Sequence, residues 1–363
     1  MRFLVPPLVG LTLALALAGF GAPAKAQTLT VVSYGGSYGR SVERAWVEPF
    51  MAETGIDVRM EDYNGGLAQM RAQVESGNVF WDVVDLVTPE AVRACDEGLL
   101  EFVTLDELPA SADGTPVSED FPPDSRSECS GGGLVSATIV AYDNRQFPGE
   151  RPTRLEDFFD LERFPGRRGM RRVPIVNLEF ALLADGVPLD RVYSTLDTDQ
   201  GIARAFAKLD TIKDEIVFWE AGAQPPQMLA DGEVVMTTAY NGRIFNAQVL
   251  EDQPFTIIWD GQVQETSGPG IVLGTPRLEI ARRFIAFVSR PESLAGISEH
   301  ISYSPTRHSA NALVSTHLET GIEMAPHMPS APANMERALI SSWLWWADNG
   351  DEMNERFAVW LSR

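Results

Sequence analysis

The stretch LTVVSYGGSY, Leu29 to Tyr38, decides how the rest of the chain is read: a β-branched run empties into two glycines and a serine flanked by tyrosines. Val31 and Val32 favour extended backbone, and Gly35 with Gly36 can take the positive φ of a tight strand-to-helix turn. Three readings of this turn stand side by side. Gly35, Ser37 and Gly39 spell G-x-S-x-G, the nucleophile elbow of α/β-hydrolases. In the second reading the glycines admit a ligand close to the backbone, and Tyr34, Ser37 and Tyr38 contact it. The third is a plain turn with no ligand.

Outward from the turn, strands and helices alternate. Val42, Ala45, Trp46 and Phe50 recur at helical spacing and Gly55 closes the helix; 56–60 alternates as a strand; Leu67, Met70 and Val74 line a second helix that stops near Gly77. Residues 81–87, WDVVDLV, form the nearly continuous apolar run of a central parallel strand, and Thr88-Pro89 opens the next helix. This alternation implies βαβ units and a doubly wound α/β sheet. Residues 106–129 lack periodicity and read as a long surface excursion. The strand at 134–142 then leads towards a second lobe, where Arg163, Arg167, Arg168, Arg171 and Arg172 cluster as a solvated loop. There, strands are expected at 173–176, 216–219, 234–240 and 255–259. Residues 267–270 form the return crossing, followed by a strand at 271–273 and an amphipathic helix at 278–288. Trp343, Trp345, Trp346 and Trp360 are expected to pack in the core on two helices broken at 348–350.

The length of 363 residues and an apolar content of 44% suit about two domains with sizeable cores. Arg2, the apolar stretch 3–20 and Ala24-Lys25-Ala26 form a secretory signal cleaved before Gln27, and no later stretch approaches a membrane-spanning length. Lys and Arg number 29 against 51 Asp and Glu, a net charge of −22, which argues against nucleic acid or an anionic membrane surface as partner. Cys95 and Cys129 are the only cysteines, and in an exported chain they are expected to pair.

The four histidines, His300, His308, His317 and His327, show no zinc spacing, and neither a P-loop nor a Rossmann fingerprint is present, so no metal and no cofactor are expected. An elbow serine needs an upstream loop to supply an oxyanion amide, and Ser37 follows the first strand of the mature chain; an exported serine hydrolase using Ser37 is the alternative function. What accumulates instead are aromatic and polar residues at strand ends: Tyr34 and Tyr38, Trp219 and Glu220, Tyr240 and Asn241, Trp259 and Asp260. The carboxyl ends of strands face the ligand crevice of doubly wound sheets, and aromatic faces beside a carboxylate attract ammonium groups.

PFMAETGIDV (49–58), WDVVDL (81–86), ACDEGLLE (94–101), GAQPPQMLADGEVVMTTAYNGR (222–243) and ISYSPTRHSA (301–310) together resemble the periplasmic solute-binding proteins of ABC transporters, in the spermidine/putrescine-binding branch. The resemblance implies a two-lobed type II periplasmic binding protein fold, with a hinged cleft that closes on a solute and a permease in the inner membrane as partner. Residues 27–139 and 268–315 would form lobe 1, and 140–267 and 316–363 lobe 2. It maps aromatic contacts to Tyr34, Tyr38 and Tyr240, a small polar contact to Thr88 and a hinge-side carboxylate to Glu179, with Glu265 as the acid nearest the return crossing. Two departures separate the chain from polyamine binders: Pro89 replaces an aromatic, and Pro269-Gly270-Ile271 replaces an aromatic and an acid on the return crossing. The expectation is therefore a monomeric, periplasmic, non-enzymatic importer component for a polyamine or other amine-bearing solute, with Tyr34, Ser37, Tyr38, Thr88, Glu179, Trp219, Tyr240, Asn241, Trp259 and Glu265 at the site. An anionic solute would instead promote Arg243 or Arg307.

Overall fold

The computed structural model describes residues 28–122 and 125–363, so the expected signal segment lies outside the described residues. The strands are β1 (Leu29–Ser33), β2 (Val58–Asp62), β3 (Val83–Val87), β4 (Leu134–Asp143), β5 (Arg168–Arg171), β6 (Ile216–Trp219), β7 (Met236–Tyr240), β8 (Phe255–Ile271), β9 (Ser304–Pro305) and β10 (Leu339–Ile340). Their order is β2-β1-β3-β8-β4-β7-β5-β6, with β9 on β4 and β10 on β8. The pairs β1–β2, β1–β3, β5–β6 and β5–β7 are parallel, as the βαβ alternation requires.

β4 and β8 join the two halves. β8 runs 17 residues, roughly 55 Å at the usual rise, more than one half of the sheet can use. Its end at 267–271 pairs with β3, while 255–258 and 263–267 pair with β4, whose own far end pairs with β7. Leu134 and Ile271 belong to one core with Val31, Trp46, Phe50 and Phe284. Val140, Ile258 and Val263 belong to another with Phe158, Phe180, Leu209 and Trp360. Thus the same two strands are packed into different cores at their two ends.

Three expectations are corrected. The strand expected at 255–259 runs on through the expected crossing 267–270 to Ile271, the first residue of the strand expected at 271–273, because Gly261 (φ 74°) sits at an irregularity opposite the Thr138/Val140 register shift instead of ending the strand. The strand expected at 173–176 lies earlier, at β5: Arg168, polar and fully buried, is held in the core by donating to the carbonyls of Phe158 (2.7 Å) and Gly166 (2.6 Å). The last helix is unbroken from Trp343 to Leu361. Glycine inside a helix costs only about 1 kcal/mol, and indole donors pin this one along its length, Trp345 to Asp197 and Trp360 to Asp210. Cys95 and Cys129 form the expected disulfide, tying the helix Thr88–Asp96 to the segment before β4.

Candidate functional site

A cavity of about 420 Å³ opens where β1, β3, β5 and β7 end. One wall carries Tyr34, just past β1, and Val87, Pro89 and Glu90 at and beyond the end of β3; the other carries Arg171 from β5, Tyr240 from β7 and Glu265 from the middle of β8. Such convergence of strand carboxyl ends is where doubly wound sheets take ligands.

The polar groups are few and charged. Tyr34 Oη accepts from the Val87 N–H at 3.1 Å. Arg171 Nη1 donates to Tyr240 Oη at 2.8 Å, and its guanidinium carbon stands 5.9 Å from the Tyr240 ring and 6.0 Å from the Trp219 ring, a cation–π clamp that sets its orientation. Glu90 Oε1 accepts from the Gly66 N–H at 3.0 Å, and its Oε2 has no partner among the described residues. Burial pushes the Glu265 carboxyl up to about 7, against the pull of Arg171 and with a push from Glu90. Burial also raises Glu90, opposed by the Gly66 amide and Arg171. For Arg171, burial disfavours the charge, but Tyr240, Glu265 and Glu90 outweigh it and raise its pKa. Arg171 and two carboxyls reluctant to ionise, Glu90 and Glu265, therefore share a small space whose more exposed wall also carries Arg71, Arg93 and Asp351.

Of the residues expected from sequence, Tyr34, Tyr240 and Glu265 line this cavity. Tyr38 lies behind Tyr34, its ring 6.3 Å away and its hydroxyl bonded to Asp85. Thr88 is buried and donates to the Thr266 carbonyl at 3.0 Å, fastening the start of its helix to β8. Glu179 is fully buried beneath the floor, accepting from Trp346 Nε1 at 2.6 Å and Tyr193 Oη at 3.1 Å, and Trp346 itself lines the cavity. Trp219 is buried with its ring edge-on to Tyr240 at 6.0 Å. Asn241 accepts from the Ala137 N–H at 3.0 Å and serves as a strand tie. Trp259 lies within β8, packed against the Trp219–Ile244 core rather than at a strand end. Ser37 lies in the first turn of the helix Gly36–Val42, where its carbonyl accepts from Ser41 at 2.9 Å; it does not line the cavity. Arg307 is fully buried on Asp120, and Arg243 is held by backbone carbonyls.

Sequence reasoning missed Arg171 and Glu90. The signal for Arg171 was present in RRGMRR (167–172): along a strand, residues three apart point to opposite faces, so Arg168 enters the core while Arg171 faces the other way.

A strand-spanned two-lobed sheet with a charged cleft at its strand ends is the architecture of a solute receptor, and residues 45–330 match the bacterial extracellular solute-binding protein family, to which the chain belongs. It is the substrate-binding component of an ABC importer, a class that delivers small solutes to a membrane permease. Among its relatives, the gamma-aminobutyric acid-binding protein of Pseudomonas aeruginosa is 41% identical over 342 residues, 94% of this chain and 93% of that protein. The solved structure of MotA from A. tumefaciens B6 in complex with glucopine superposes with a TM-score of 0.83 at 28% identity, covering 92% of this chain and 100% of that one. The Atu4243-GABA receptor superposes with a TM-score of 0.77 at 27% identity, covering 92% and 98%.

Proposed function

We propose that the chain captures a small zwitterion bearing both an amine and a carboxylate, an amino acid of the γ-aminobutyric acid kind, rather than a polyamine. The observation that carries this reading is Arg171 sharing one cavity of about 420 Å³ with Glu90 and Glu265. A carboxylate on Arg171 and an ammonium between the two carboxyls match the buried charges, while Arg71 and Arg93 on the more exposed wall are already paired with Glu97 and Asp351. Putrescine would instead present an ammonium to the guanidinium, and two like charges about 4 Å apart repel by roughly 4 kcal/mol at an effective dielectric of about 20. The relative that binds γ-aminobutyric acid supports the same class of solute.

Capture proceeds by hinge closure with no chemical step, in the periplasm, by a monomer. Lobes at 27–139 with 268–315 and at 140–267 with 316–363 are supported by the separate cores at the two ends of β4 and β8. Only a solute that touches both lobes favours the closed state. Tyr34 and Glu90 act from the first lobe; Arg171, Tyr240 and Glu265 act from the second, with Tyr38, Thr88, Glu179, Trp219 and Asn241 holding them in place. Calorimetry of the mature chain against γ-aminobutyric acid, putrescine, spermidine and succinate tests this. Binding of γ-aminobutyric acid with at least tenfold preference is expected; tight binding of putrescine or succinate with none of γ-aminobutyric acid overturns it.

A further inference from the structure

Arg243 is absent from the cavity wall, yet it is one of the most completely accommodated cations in the molecule. It lies on the helix Asn241–Leu250, which Ile244 and Ala247 seat in the core built around β4 and β7. Its guanidinium crosses to the other side of the cleft, where Nη1 donates to the Gly35 carbonyl at 2.9 Å and Nη2 to the Tyr34 carbonyl at 3.1 Å. The side chain is 4% exposed, and its Nε has no partner among the described residues. No carboxylate takes part in these two contacts.

Glycine makes the slot on both sides. A Cβ at Gly36 would stand 2.6 Å from Nη1, and one at Gly222 would stand 2.9 Å from Nε. Gly35 and Gly36 both have positive φ, 58° and 62°, the backbone that carries the two carbonyls towards the guanidinium. The glycine turn after β1 therefore receives a side chain from the opposite lobe. Tyr34 belongs to both arrangements, with its ring on the cavity wall and its carbonyl on Arg243.

We infer that Arg243 is a closure latch: a positioning residue that holds the cleft shut on the Tyr34–Gly36 turn without touching the solute, with Gly36 and Gly222 kept small to admit it. Opening the hinge breaks both bonds and returns the guanidinium to water, so the latch stabilises the closed form alone and slows solute escape. An ion pair that joins the same two lobes away from the cavity, Arg44 with Glu319, is a poor latch: its side chains are 48% and 44% exposed, and pairs of that kind contribute little.

The latch acts on closure whichever solute fills the cavity. Dyes on one introduced surface cysteine per lobe report the closed fraction by single-molecule energy transfer, in solute-free protein and with γ-aminobutyric acid or putrescine. Stopped-flow gives the two rate constants. Arg243→Ala is expected to lower the closed fraction and raise koff about 100-fold or more with kon within about threefold, the loss of two charge-assisted hydrogen bonds. Arg243→Lys restores part of the effect, and Gly36→Ala, which obstructs the slot, moves the same way as Arg243→Ala, whereas Arg44→Ala, at an inter-lobe pair away from the cavity, changes koff less than about threefold. Thermal melts select variants that fold. An unchanged closed fraction with and without solute overturns the latch. So does a loss found for γ-aminobutyric acid but absent for its carboxamide, because Arg243 would then grip the solute itself. Failure of γ-aminobutyric acid to bind at all sinks the solute reading and leaves the solute-free closed fraction to decide the latch.

Discussion

Replacing Arg171 by Met keeps the length of the side chain and removes its charge, which isolates what the guanidinium does for a zwitterion. A charge-assisted hydrogen bond contributes about 1.5–3 kcal/mol, and a partly exposed guanidinium gripping a carboxylate through two such bonds is worth about 3 kcal/mol, or roughly a 100-fold rise in Kd. A second effect comes from the same substitution. Arg171 is what restrains the Glu265 carboxyl from rising above about 7, so its loss drives Glu265 further towards the protonated form. At pH 7 the variant therefore loses affinity at both ends of the solute, whereas at pH 8.5 mainly the carboxylate end suffers. Calorimetry with γ-aminobutyric acid at both pH values separates the contributions, the loss at pH 7 being the larger. Putrescine, freed of an opposing cation, binds the variant more tightly than it binds the natural chain. Affinity for γ-aminobutyric acid within about threefold of the natural chain at pH 8.5 would remove Arg171 from the site and refute the charge-matching argument.

Two further outcomes follow from the same groups. Glu265 has a folded pKa raised from the ordinary carboxyl value to about 7 by burial, so its favourable contribution to stability is full below about pH 4.5 and is lost as pH rises through 7, by roughly 3 kcal/mol for a group this buried. Glu265→Gln should accordingly melt higher than the natural chain at pH 8 and bind the amine at least tenfold more weakly, as scanning calorimetry and titration will show; a destabilised variant at pH 8 contradicts the burial cost. Cys95→Ser with Cys129→Ser opens a cross-link between residues 34 apart and should lower stability by about 3–4 kcal/mol in denaturant titration. Because Cys95 sits on the helix whose first turn carries Glu90, solute affinity should fall as well; a loss under 1 kcal/mol would show the loop to be held by packing alone.

How legible the site was depended on which physical rule governed each residue. Tyr34 and Tyr240 were found because strand-end placement follows from period and length alone, and the β1 and β7 boundaries are set by local sequence. Trp259 misled because that rule presumes the strand ends where an Asp-Gly pair stands, whereas pairing with β4 carries β8 on through Gly261. Arg171 was hidden among five arginines whose fates differ only in tertiary context. Arg163 pairs with Glu150 and Asp157 at the surface, Arg168 is drawn into the core by main-chain carbonyls, and Arg171 is claimed by two aromatic faces. No local propensity separates those outcomes, because each is fixed by groups distant in sequence.

The glycine turn shows the same division. Its strand-to-helix character was readable from LTVVSYGGSY, but the reason for two glycines was not, since the atoms that need the space belong to Asp62 at Gly35 and to Arg243, about 200 residues away, at Gly36. The buried carboxyls complete the account. Asp85 and Glu179, like Glu265, are pushed to about 7 by burial, yet neither lines the cavity. Asp85 holds the hydroxyl of Tyr38 and, through its carbonyl, that of Tyr63, whose ring packs 4.9 Å from Tyr34; Glu179 holds the indole of Trp346. Each thus fixes an aromatic residue on or directly behind the wall. Of these three buried carboxyls only Glu265 lines the cavity, so under the proposed function it is the one whose burial cost a bound ammonium would offset.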